Sequence, residues 1–123
     1  MKDDLPVTSF VDRSALREWL ALNHHDSSGL WVRIFHSRSG APSATFEDLL
    51  EEGLCFGWSE SKRMRGDETF YLQRFTPRRR TGTTSDRNKK LANRLVAEGK
   101  MTKSGLKALG MDHEADAGPD LPT

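Results

Sequence analysis

The stretch "TFEDLLEEGLCFGW", residues 45–58, constrains the fold of this chain more than any other. Phe46, Leu49, Leu50, Gly53 and Leu54 recur at the i, i+3, i+4, i+7, i+8 spacing of one helical face. Thr45 followed by Asp48 reads as a capping box with Asp in place of the usual Glu or Gln, so the helix opens there. Glu47, Asp48, Glu51 and Glu52 occupy the other faces. Gly57 suits the tight junction where the helix gives way directly to a strand.

The flanking segments supply what such a helix can pack against. Asp12 is a suitable N-cap for a helix over about 13–25, with Leu16, Trp19, Leu20 and Asn23 on one face. "HHDSSG", residues 24–29, is a stop and turn. In "LWVRIFH" the residues Leu30, Val32 and Ile34 alternate with Trp31, Arg33 and Phe35. Both faces of that strand carry large apolar groups, so it is expected in the middle of a sheet. Residues 37–44 read as a loop. Residues 57–65 and 68–76 pair as a hairpin around Arg65-Gly66-Asp67, which is read as a turn and not as a cell-adhesion signal. A helix capped by Ser85 and stopped at Gly99 follows, with Asn88, Leu91, Ala92, Leu95 and Val96 on one face, then a shorter one over about 103–109 ended by Gly110. Residues 111–123 form an acidic tail, expected to be disordered because almost nothing apolar offsets the entropy of ordering it. The expected fold is therefore a small single α+β domain over 1–110. Three antiparallel strands are covered by the helices near 13–25 and 45–56, with two C-terminal helices beside them.

Length and composition fit one domain: 123 residues, 35% hydrophobic and 30% charged. No apolar run approaches the roughly 20 residues of a membrane span. The first residues lack the apolar stretch of a secretory signal, and a single cysteine allows no internal disulfide, so the expected location is cytoplasmic. The net charge of +1 conceals an asymmetry. Residues 1–61 carry 5 Lys/Arg and 10 Asp/Glu, residues 62–110 carry 14 and 4, and the tail carries 4 acids and no base. Such separation either marks a face for a phosphate-bearing partner or disappears as charges intermix on folding.

Few side chains have the spacing that catalysis or metal binding needs. His24 and His25 are adjacent, His36 and His113 are isolated, and Cys55 has no partner at ligand spacing, so neither a metal nor a cofactor is expected. Cys55 is a reactive thiolate beside a basic segment on one reading, and a small buried hydrophobe on the other. Trp58 and Glu60 alternate with Ser59 and Ser61 and should share a strand face. With Cys55, Tyr71, Arg74 and Asn88 they are the candidates for a small-molecule pocket; no second carboxylate supports general acid–base chemistry. The densest signal is "FTPRRRTGTTSDRN", residues 75–88. Pro77 ends a strand, Arg78, Arg79 and Arg80 provide guanidinium forks, and Thr81, Thr83, Thr84 and Ser85 provide hydroxyls ahead of a helix N-terminus. It is not a phosphate-binding loop of the Gly-Lys-Ser/Thr type. It is either an anion site, extended by Lys62, Arg63, Arg74 and Lys89, or a solvated connector.

Taken together, "REWLALNH" (17–24), "GLWVRIF" (29–35), "TFEDLLEEGLCFGW" (45–58), "FYLQRFTPRR" (70–79), "SDRN" (85–88) and "LVAEGKMTKSGL" (95–106) resemble the YdeI/OmpD-associated, or bacteriocin-protection, family. The chain departs from that family's pattern at Ser59-Glu60, where an apolar residue and Asp are usual, and at Thr84, where Trp is usual. The resemblance implies a non-enzymatic role in tolerance of envelope-directed stress; the charge pattern adds the expectation that the basic half holds an anionic partner such as nucleic acid or another phosphate-bearing ligand. The alternatives are a small-molecule-binding protein or enzyme built around the pocket candidates, and a protein–protein interaction module. A monomer is the default expectation.

Overall fold

The structure is a computed structural model, and it describes residues 5–79 and 84–111. The tail from residue 112 and the segment 80–83 lie outside the described residues. A four-stranded mixed sheet has the order β1-β2-β4-β3, formed by β1 (Val7–Thr8), β2 (Leu30–Phe35), β3 (Trp58–Arg65) and β4 (Phe70–Pro77). Four helices accompany it: α1 (Arg13–Asn23), α2 (Phe46–Phe56), α3 (Asp86–Ala97) and α4 (Lys103–Ala108). The α+β class is as the sequence predicts, but the sheet is neither three-stranded nor wholly antiparallel. The added strand β1 pairs parallel to β2, Val7 opposite Trp31 and Thr8 opposite Val32. Two residues carry no periodicity, so this strand leaves no mark in the sequence. Its parallel sense follows from the connection, since the chain returns through α1 and not through a turn. The loop after β2 also contains a 3-10 turn at Ser37–Ser39.

Local signals set most helix ends. The Asp12 side chain accepts from the Ala15 N–H, and Ser85 accepts from Asn88 N–H. At α2 the capping box is complete: Thr45 Oγ1 accepts from Asp48 N–H while Asp48 accepts from Thr45 N–H. The same helix ends at Gly57 with φ +81, a left-handed conformation that turns the chain at once into β3.

One face of the sheet carries the core. Leu30, Val32 and Ile34 of β2 stand opposite Phe75, Gln73 and Tyr71 of β4. Together with Trp58 they pack against Leu16 and Leu20 of α1, Leu49 and Leu54 of α2, and Leu95 of α3. Trp31 is buried as well, but outside this cluster and on the opposite sheet face beside Arg74. Strand β2 is thus central and covered on at least part of each side, as its composition predicts. Helix α2 is the hub, packing on β3, α1, α3 and α4. Helix α4 comes so close to it that a Cβ on Gly105 would collide with the carbonyl oxygens of Cys55 and Leu54. Both the N–H and the hydroxyl of Thr102 donate to that Cys55 carbonyl.

Glu52 lies off the apolar face by spacing, yet it is 1% exposed. Arg13 Nε reaches one of its oxygens at 2.6 Å and an Arg17 terminal nitrogen the other at 2.8 Å. Arg13 also pairs with Glu51 at 2.9 Å, and Arg94 of α3 closes on Glu51 at 2.9 Å. The network joins three helices. Burial lowers the Arg13 pKa, but its hydrogen bonds to Glu52 and Glu51 outweigh that and leave it raised.

Candidate anion-binding surface

The strand register sorts the candidate residues by face. Trp58 and Glu60 pair with Pro77 and Phe75 on the core side, while Ser59 pairs with Thr76 on the other. Arg74 faces away from the core beside Thr76, because its neighbours Gln73 and Phe75 both turn inward. Two adjoining hollows of about 310 and 240 Å3 lie on this outer side, at the end of the sheet where β4 finishes. Both are lined by Arg74, Thr76, Arg78 and Arg79; the larger reaches Ser59 and Ser61, the smaller Ser28. An Arg74 terminal nitrogen donates to Ser61 Oγ at 3.5 Å.

Arg78 sits at the centre of this group. Its N–H donates to the Gly57 carbonyl at 2.9 Å, which fastens the chain just past Pro77 to the junction of α2 and β3. The side chain is half-buried, and burial lowers its pKa, with the Glu60 charge acting in the opposite direction. Among the described residues the Arg78 Nε is buried without a hydrogen-bond acceptor, and Glu60 Oε1 and Thr84 Oγ1 are likewise buried and unpartnered. A desolvated guanidinium edge lacking an acceptor favours an anion.

Not every predicted member joins this surface. Ser85 spends its hydroxyl on the N-cap of α3, and Asp86 occupies the first turn, so that helix end is already satisfied. Lys62 and Lys89 are exposed but line neither hollow. Arg63 lies on the core side of the sheet, its guanidinium 4.2 Å from the Tyr71 ring centre, and is removed from the patch. Arg80, Thr81 and Thr83 fall outside the described residues. The sequence missed Ser28 and Ser61, which reach the surface only through folding.

The pocket candidates do not converge either. Cys55 is 0% exposed and Trp58 1% exposed, both inside the core cluster. Burial pushes the Cys55 thiol upward, and Glu52 adds to the effect, so the cysteine is a packed small hydrophobe with an inert thiol. Tyr71 and Arg74 lie on opposite sheet faces, and Asn88 is half-buried in the first turn of α3. Among the described residues no group of three or more His, Cys, Asp or Glu is placed to hold a metal ion. His24 is committed to structure, Nδ1 to the Leu20 carbonyl at 2.8 Å and Nε2 to Ser104 Oγ at 3.0 Å. No helix among the described residues is long and apolar enough to cross a membrane.

A family model described as a domain of unknown function, DUF8412, matches residues 8–108. The chain belongs to the DUF8412 family. No curated protein and no solved structure matches it. The DUF8412 match runs from the end of β1 to the end of α4, so it contains the whole helical layer, the hairpin and both hollows. The acidic tail lies beyond it.

Proposed function

We propose that this DUF8412 domain is a non-enzymatic anion-binding protein that holds a phosphate-bearing partner against Arg78, Arg79 and the hydroxyls of Ser59, Ser61 and Thr76. The observation that carries this reading is Arg78, half-buried with an unpartnered Nε in a hollow lined with further arginine and hydroxyl groups. Binding is electrostatic and carries no sequence readout, since the surface presents neither a recognition helix nor a row of aromatic rings. The resemblance to YdeI/OmpD-associated proteins gives this binding a setting, a part in tolerance of cationic peptides and bacteriocins, and a lone free cysteine fits the proposed cytoplasmic location. The buried Cys55 supports the non-enzymatic reading, because it withdraws the chain's single thiol from reaction.

The test is the anisotropy of a labelled single-stranded oligonucleotide titrated with protein across a range of salt, alongside polyphosphate as competitor. Each phosphate neutralised contributes about −0.7 to the slope of log K against log salt. An Arg78→Ala/Arg79→Ala variant should weaken binding and make that slope shallower by about 1.4. Absence of binding to either polyanion at low salt, or equal binding by the variant, overturns the reading.

A further inference from the structure

At the other end of the sheet, on the core side, a cleft of about 520 Å3 opens between the start of β4, the start of α2 and the loop after β2. That volume falls in the range of small-molecule sites. Its apolar side chains are Ile34, Ala41 and Phe46, and its polar groups are Arg63, Tyr71 and Glu47. The walls are held in place. Ser43 Oγ accepts from Phe35 N–H and donates to the Ala44 carbonyl, while the capping box fixes the first turn of α2.

Arg63 is there because β3 carries a bulge. Glu60 pairs with Phe75 and Arg63 with Gln73, so Ser61 and Lys62 together oppose Arg74. The extra residue reverses the alternation and turns Arg63 inward, the kind of re-aiming that bulges produce beside binding sites. Gln73, 3% exposed, secures the bulge by donating its amide to the Lys62 carbonyl at 3.1 Å. The Arg63 guanidinium then lies 4.2 Å from the Tyr71 ring centre and 5.6 Å from that of Phe46. Stacking of this kind orients the planar fork and leaves its N–H edges outward. Among the described residues, no acceptor takes a hydrogen bond from Arg63, no cation pairs with Glu47, and the Tyr71 hydroxyl is uncommitted.

We infer that this cleft binds a small zwitterion of the amino-acid type with an apolar side chain. The carboxylate docks on the stacked Arg63 fork and the Tyr71 hydroxyl, the ammonium faces Glu47, and the side chain covers Ala41 and Phe46. A simple polyanion is disfavoured by Glu47, and a simple cation by Arg63. The site is independent of the arginine surface around Arg78, because the two open on opposite faces of the sheet.

Amide NMR titration tests the inference with four probes: L-phenylalanine, 3-phenylpropionate, phenethylamine and N-acetylphenylalanine amide. L-Phenylalanine should give saturable shifts at residues 43–47, 63 and 71. Each of the other three should bind at least about tenfold more weakly, since each lacks one or both charges. Arg63→Gln should weaken phenylalanine binding about tenfold or more, and Arg63→Lys should not restore it, because a lysine lacks the fork. Arg63 is exposed, so these variants remain folded at the titration temperature, and a melting curve for each separates loss of binding from loss of fold. The inference is overturned if no shift saturates up to about 10 mM, if 3-phenylpropionate or phenethylamine binds as tightly as phenylalanine, or if Arg63→Gln binds equally well.

Discussion

Replacing Glu52 by glutamine tests the proposition that the buried charge network holds the helical layer together. The change keeps the shape of the side chain while removing its charge and one of its acceptor oxygens. In the native protein each carboxylate oxygen takes a guanidinium donor, Arg13 Nε at 2.6 Å and Arg17 at 2.8 Å. An amide leaves one of these donors facing an NH2 group. Breaking a buried pair in this manner costs about 3–5 kcal/mol when the orphaned charge is fully enclosed. Here the orphaned side chains are 31% and 36% exposed, so water recovers part of that loss and about 2–3 kcal/mol is expected. For a domain of this size that corresponds to a fall of about 8–12 °C in melting temperature. Urea denaturation followed by tryptophan fluorescence and by far-ultraviolet circular dichroism measures it, with Arg17→Gln and the double variant completing a thermodynamic cycle. The two single changes should be strongly non-additive. A Glu52→Gln protein within about 0.5 kcal/mol of wild type would refute the reasoning, placing the substitution among neutral surface changes.

Two further outcomes follow from the same packing. Gly105→Ala should destabilise the protein by about 1–3 kcal/mol in urea melts, although helix propensity alone favours alanine by about 1 kcal/mol; the added Cβ meets the Leu54 carbonyl oxygen at 2.5 Å, and a variant at least as stable as wild type would show that α4 is free to move away. For Glu51, burial raises the pKa but the hydrogen bonds from Arg94 and Arg13 outweigh it, leaving the folded carboxyl below its ordinary value of 4.5. Its contribution is therefore fully present above that value and is lost as pH falls through the depressed one, so the stability gap between wild type and Glu51→Gln should shrink progressively as the pH is taken below 4.5; a gap independent of pH rules this out.

What the sequence disclosed depended on the range of the interaction involved. The Thr45–Asp48 capping box, the Ser85 cap and the stop at Gly99 are contacts between near neighbours in the chain, and they were readable as such. Strand β1 was not, because its only determinant is pairing with a strand more than twenty residues away. Glu52 looked like one more charge on a polar face; the two arginines that permit its burial come from α1, 35 and 39 residues earlier. The arginines at 78 and 79 could be picked out by composition. Whether Arg63 and Arg74 joined them was a matter of facing, and a single inserted residue decided it against Arg63.

That inserted residue gives β3 two phases. Upstream of Ser61 the strand shows even-numbered side chains to the helices, and downstream of Lys62 it shows odd-numbered ones. A relative one residue shorter at this point would have a regular ladder, and its counterparts of Arg63 and Arg65, still opposite Gln73 and Tyr71 across the unchanged hairpin, would stay on the helix side. Chain length between the tryptophan at the head of β3 and the hairpin turn is therefore a marker of the bulge itself. Within the family it sorts members that need an inward amide such as that of Gln73 to hold two opposed residues from members whose β3 alternates without a break.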